Sequence, residues 1–124
     1  MNKYRDKSDF EINLRVAQII FTDSEYDVIK QSMEVVKFQN GNGKGTCHAF
    51  DPCNNPADAM PIVFENNISL HALRLKEGWM AEYTGSDDDV NDGFQADYFN
   101  SHNKNPLRAA MEVFLMMKEA EDEK

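Results

Sequence analysis

Residues 50–70 read FDPCNNPADAMPIVFENNISL, a loop dense in Asp, Asn, Cys and Pro that runs into an apolar segment and then a strand. Pro52 and Pro56 have no N–H to give a ladder, while Asp51, Asn54 and Asn55 are turn and cap formers. Asp51–Ala57 is therefore expected to be loop. A short helix is expected to start near Asp58, with Pro61 in its first turn and Ile62, Val63 and Phe64 reaching the core. Asn66-Asn67 breaks it. Loop, helix and strand thus follow one another closely, and the flanking segments decide what kind of mixed fold they join.

On the N-terminal side, Ser8 with Glu11 three residues on is a capping box, and Asp9 adds negative charge to the first turn. Phe10, Leu14 and Ala17, beside Ile12, Val16, Ile19 and Ile20, recur at helical spacing and predict a helix over 9–20. Residues 21–33 have mixed periodicity and support no assignment. Glu34–Gln39 reads as a strand, with Val36 and Phe38 on one face and Val35 opposite. Asn40–Gly45 reads as a turn and Thr46–Phe50 as the returning strand.

On the C-terminal side, Ile68–Leu75 sets Ile68, Leu70, Ala72 and Arg74 on one face. A turn at Lys76-Glu77-Gly78 leads into Trp79–Thr84 and completes a hairpin. Gly85–Gly93 is acidic and solvent-facing, and a short apolar patch follows at Phe94–Phe99. Asn105 is expected to cap a last helix whose first position is Pro106. Its core stripe is Leu107, Ala110, Met111, Phe114, Leu115 and Lys118, and Glu119–Lys124 frays. The Met-rich face (Met111, Met116, Met117) reads as core, since Met fills irregular gaps. The expected fold is α+β: one domain over residues 1–124, an antiparallel sheet with the N- and C-terminal helices packed on one face.

Length fits a single domain, and 41% hydrophobic residues with 28% charged fit a globular chain. Net charge is −9 with only 13 Lys and Arg, which disfavours nucleic-acid binding and attachment to an anionic membrane. MNKYRDKSDF has cations but no apolar run behind them, so no signal peptide is expected. No apolar run approaches a membrane span. A cytosolic setting would leave Cys47 and Cys53 as thiols.

Several motifs invite chemistry and fall short of it. NGNGKGT has the look of a phosphate loop, but the residue five before Gly43 is Phe38 and the continuation reads as strand, so a hairpin turn is the better reading. Asp87-x-Asp89-x-Asn91 opens like a calcium loop, yet its glycine arrives one position late at Gly93 and Tyr98 stands where a closing Glu is needed. Cys47, His48 and Cys53 offer three soft ligands, with His71 and His102 distant in sequence; adjacent strand residues also face opposite ways. No metal and no cofactor are expected, and no catalytic grouping assembles from spacing. The most informative polar set is Asp51, Asn54, Asn55 and Asp58. Its structural reading is caps and turns bonded to backbone N–H groups. Its functional reading is a ligand-binding pocket beside the short helix, with Trp79 as a wall.

SDFEIN at 8–13, FDPCNNPADAMPIVFENNISL at 50–70 and PLRAAMEVFLMMKE at 106–119 together resemble the NinX-like proteins of lambdoid phages and prophages. The blocks anchor both ends and the middle. Pro56 departs from the pattern, which implies an aromatic after the Asn pair. The resemblance implies a phage or prophage product acting in the bacterial host cytoplasm, and it transfers no catalytic residues. The leading expectation is therefore a non-enzymatic accessory protein that binds a host or phage protein; a homodimer is compatible with it. The alternatives are a small enzyme or ligand-binding domain using the 51–58 loop, and an acidic DNA mimic.

Overall fold

The computed structural model describes residues 3–38, 46–74, 77–84 and 98–122. Helix α1 spans Asp9–Ile20, as its capping box predicts, and Ser8 Oγ accepts the Glu11 N–H at 3.1 Å. Tyr26–Ile29 forms β1, Glu34–Phe38 forms β2 and Cys47–Ala49 forms β3. Pro56–Glu65 is helix α2; Ser69–Ala72, Trp79–Thr84 and Tyr98–Asn103 are β4, β5 and β6; Pro106–Asp122 is α3. The fold is α+β. Its strands divide between two antiparallel three-stranded sheets, β1-β2-β3 and β4-β5-β6.

Helix α2 starts earlier than expected. Asn55 is the N-cap, its Oδ1 accepting the Ala57 N–H at 3.0 Å, and Pro56 rather than Pro61 takes the first turn. Pro61 lies inside the helix, and both it and Ala57, whose carbonyl loses its i+4 donor there, are exposed to water. Ile62 and Val63 are buried as expected, but Phe64 is 70% exposed, because a third consecutive residue on a helix turns away from the core. The helix ends as a Schellman motif: Asn67 takes φ +55°, its N–H bonds the Phe64 carbonyl, and the Ile68 N–H reaches the Val63 carbonyl at 3.1 Å.

In the first sheet Tyr26 pairs with Lys37, Ile29 with Glu34, and Val36 with Ala49. In the second, Leu70 pairs with Ala81 and Ala81 with Ser101. Helix α3 packs on the second sheet, α1 on α3 and β2, and α2 on α3. Because α3 is enclosed by these neighbours, its buried surface is wider than a stripe: residues 108–115 and Met117 are all buried, with Leu107 and Lys118 at the margin. The helix continues through Glu119 to Asp122 where fraying was expected. The turn read at residues 40–45, the strand end at Leu75 and the acidic run Asp87–Asp92 lie outside the described residues.

Candidate functional site

The loop read as the candidate site is held by its own caps and by both terminal helices. The Asp51 carbonyl accepts the N–H groups of Asn54 and Asn55 at 3.0 and 2.7 Å. Its side-chain Oδ1 accepts Asn13 Nδ2 at 2.8 Å, while Asn13 Oδ1 accepts the Cys53 N–H at 3.1 Å. Asn54 Nδ2 lies between Asp9 Oδ2 at 3.1 Å and the Asp51 carboxylate at 3.2 Å. Asn105 caps α3 through Leu107 N–H at 2.9 Å and also donates to Cys53 O at 2.6 Å and Asn54 Oδ1 at 3.0 Å. Asp58, buried on α2, accepts the Asp51 N–H at 2.9 Å and pairs with Lys37 at 3.2 Å.

Asp51, Asn54, Asn55 and Asp58 are therefore brought together. Trp79 is not part of this bonded set: it opens β5 in the second sheet, opposite Ala72 and Asn103. The cluster extends instead to residues that sequence reasoning passed over. Arg108, on α3, places Nη1 2.6 Å from Asp9 and Nε 2.6 Å from Glu112, and its Nη2 donates to the carbonyls of Tyr4 (2.8 Å) and Lys7 (2.6 Å). Glu112 accepts Ser101 Oγ at 2.5 Å. The signal for this pair was present in LRAAMEVFLMM, where opposite charges four apart sit in an otherwise apolar run.

Electrostatics follow from the burial. Desolvation works against the Asp9 carboxylate, yet the Asn54 hydrogen bond and the Arg108 guanidinium together hold its pKa below the ordinary value. Arg108 is likewise desolvated, and its bonds to Glu112 and Asp9 outweigh this and raise its pKa. Burial, with the Asp9 charge second, pushes the Cys53 thiol far up, so Cys53 is an inert core residue rather than a nucleophile. Cys47 is exposed on β3, so the two thiols occupy different environments. Among the described residues no buried side-chain nitrogen or oxygen lacks a hydrogen-bond partner. Nor, among them, do three or more His, Cys, Asp or Glu converge as a metal site would require.

Two surface clefts lie away from this loop. One, of about 670 Å³, runs along Tyr98–His102 beside Arg5 and Met116; the other, of about 270 Å³, is walled by Arg15 and Ile19 of α1 and by Leu115 and Lys118 of α3. Lys3, Tyr4 and Glu119 border both.

These features define an α+β protein whose conspicuous polar loop is knitted into its helices. No helix among the described residues is long and apolar enough to cross a membrane. The chain belongs to the phage NinX family: the family profile described as Bacteriophage P22, NinX matches residues 3–118. No curated protein and no solved structure matches the chain. Pro56, the departure from the expected family pattern, is the residue that takes the first position of α2.

Proposed function

We propose that this phage-family chain is an accessory protein that works in the bacterial host cytoplasm by binding a host or phage protein. The observation that carries this reading is the engagement of the polar loop. Asp51, Asn54, Asn55 and Asp58 are all bonded to neighbouring side chains or backbone, so their chemistry goes into holding α1, α2 and α3 together. A ligand seated on these residues against Trp79 would first have to displace those half-buried and surface bonds, at about 0.5–1.5 kcal/mol each. The exposed surface is left as the place where recognition happens.

The test is affinity capture with the tagged full chain from infected and uninfected bacteria, followed by reconstitution with the purified candidate. A partner that recurs across preparations and binds the purified chain directly supports the reading. Repeated capture of nothing above the untagged control, in both kinds of cell, overturns it.

A further inference from the structure

Helix α2 reads PADAMPIVFE, with two ionisable side chains in its 10 residues. One of them, Asp58, is buried and bonded to Asp51 and Lys37; the other, Glu65, ends the helix. A helix that is apolar on all sides is normally covered on all sides. Here Ala59, Ile62 and Val63 face the core with Asp58, and the opposite side is left in water. Pro56, Ala57, Pro61 and Phe64 are exposed there, with Met60 half-buried. Phe64, at 70%, is the most exposed large hydrophobic side chain among the described residues.

Ala57, Met60, Pro61 and Phe64 stand at i, i+3, i+4 and i+7, the spacing by which one helix meets another. This seam is its own complement under a two-fold rotation. With two copies antiparallel and the axis between positions 60 and 61, Phe64 faces the partner's Ala57, the largest seam residue against the smallest, and Met60 faces the partner's Pro61. Glu65 then comes beside the partner's Pro56, at the helix N-terminus, where the helix dipole favours a carboxylate.

We propose that the outward face of α2 is covered by a second copy of the chain, α2 lying antiparallel on α2 about a two-fold axis through its middle. This goes beyond the partner-binding reading and does not rest on it. The seam itself carries no charge, so the −9 on each copy opposes the contact only from a distance, where a Debye length of about 8 Å at physiological ionic strength weakens it. The dimer is weak. A helix of 10 residues is only about 15 Å long, and so short a strip falls below the roughly 800 Å² per partner of a stable interface. Pro61 also leaves the Ala57 carbonyl without its i+4 donor, and covering that carbonyl sheds its water. A dissociation constant on the order of 0.1 mM is expected.

The test is sedimentation velocity of the full chain under reducing conditions across about 0.01–1 mM, which brackets that constant. The wild type is expected to shift from monomer toward dimer. Phe64→Asp, at an exposed position and so compatible with folding by circular dichroism, should stay monomeric throughout. Register is read by oxidation with diamide in a Cys47→Ser background, since Cys53 is buried. A disulfide needs Cα atoms within about 7 Å. Ala57→Cys mixed with Phe64→Cys should therefore link the two variants to each other. Ala57→Cys alone should not link to itself, because its two copies lie about 10 Å apart along the helix. A wild type monomeric at the highest concentration, a Phe64→Asp variant that dimerises like the wild type, or Ala57→Cys linking to itself as readily as to Phe64→Cys each overturns the proposal. A monomeric wild type whose captured cellular partner is lost in Phe64→Asp refutes the two-fold contact and assigns the face to another protein.

Discussion

Arg108→Met removes the centre of the buried network, and its cost can be worked from the contacts. The Arg108 and Glu112 side chains are 7% and 1% exposed and meet at 2.6 Å. Removing the guanidinium from such a buried pair costs about 3–5 kcal/mol. The Tyr4 carbonyl loses its bond to Nη2 but keeps the Lys7 N–H at 3.2 Å, so this adds about 0.5–1.5 kcal/mol rather than the cost of an orphaned acceptor. Apolar burial of the Met side chain recovers part of this, so the net loss should be about 3–6 kcal/mol. That is a large fraction of the roughly 5–15 kcal/mol that holds a domain together. Urea unfolding followed through the single tryptophan, Trp79, measures it. Replacing both partners, Arg108→Met with Glu112→Met, should restore most of the loss, since neither charge then needs desolvating. Should the single variant fail to fold, Arg108→Lys keeps the charge without the planar fork and should lose about 1–3 kcal/mol. A loss under about 1 kcal/mol for Arg108→Met, or a double variant as unstable as the sum of its singles, refutes the reasoning.

Phe114 is 1% exposed at the centre of α3, so Phe114→Ala should cost about 3–5 kcal/mol in the same urea assay. Ser8→Ala removes the acceptor of the Glu11 N–H and should cost about 1 kcal/mol, seen as a lower thermal midpoint. Gly78 holds φ +119°, and a Cβ there would lie 3.0 Å from the Asn103 carbonyl oxygen, so Gly78→Ala should destabilise by about 1–3 kcal/mol. Asp9 has a folded pKa lowered from 3.8; its contribution is complete above 3.8 and disappears as pH falls through the lower folded value. Urea titrations across that acid range should show a steeper loss for the wild type than for Asp9→Asn.

How far the fold could be read in advance depended on how local its causes were. Helix α1 follows from Ser8 and Glu11, and α3 from Asn105 and Pro106, because caps act within one turn. Strand β1 did not emerge. Its alternation covers only Tyr26–Ile29, and the left-handed position of the following turn is Met33, at φ +56°, where Gly or Asn would have given the signal. Strand β6 was hidden for another reason: its inward position 101 is a serine bonded to a buried Glu, so polarity runs against burial. The division into two sheets depends on which strands pair, and strand periodicity carries no such information. In the 51–58 loop the caps were legible from residue type, but the links to Asp9, Asn13 and Asn105 join positions far apart in the chain.

The buried network reaches the surface through the N-terminal turn. Arg108 holds the carbonyls of Tyr4 and Lys7 from inside the protein, and Tyr4, itself buried, anchors its hydroxyl on Glu119 at 2.7 Å. Lys3 and Arg5 are thereby set on either side of a fixed residue. A surface loop bearing cations would ordinarily lose conformational freedom when it engages a partner, at about 0.5–1.5 kcal/mol for each immobilised long side chain and more for the backbone. Here the backbone of the turn is ordered on folding, by hydrogen bonds to the nearly buried Arg108 guanidinium. The i,i+4 charge pair in an otherwise apolar helix therefore does more than link two turns of α3: through Arg108 it fixes the position of the N-terminal turn from within.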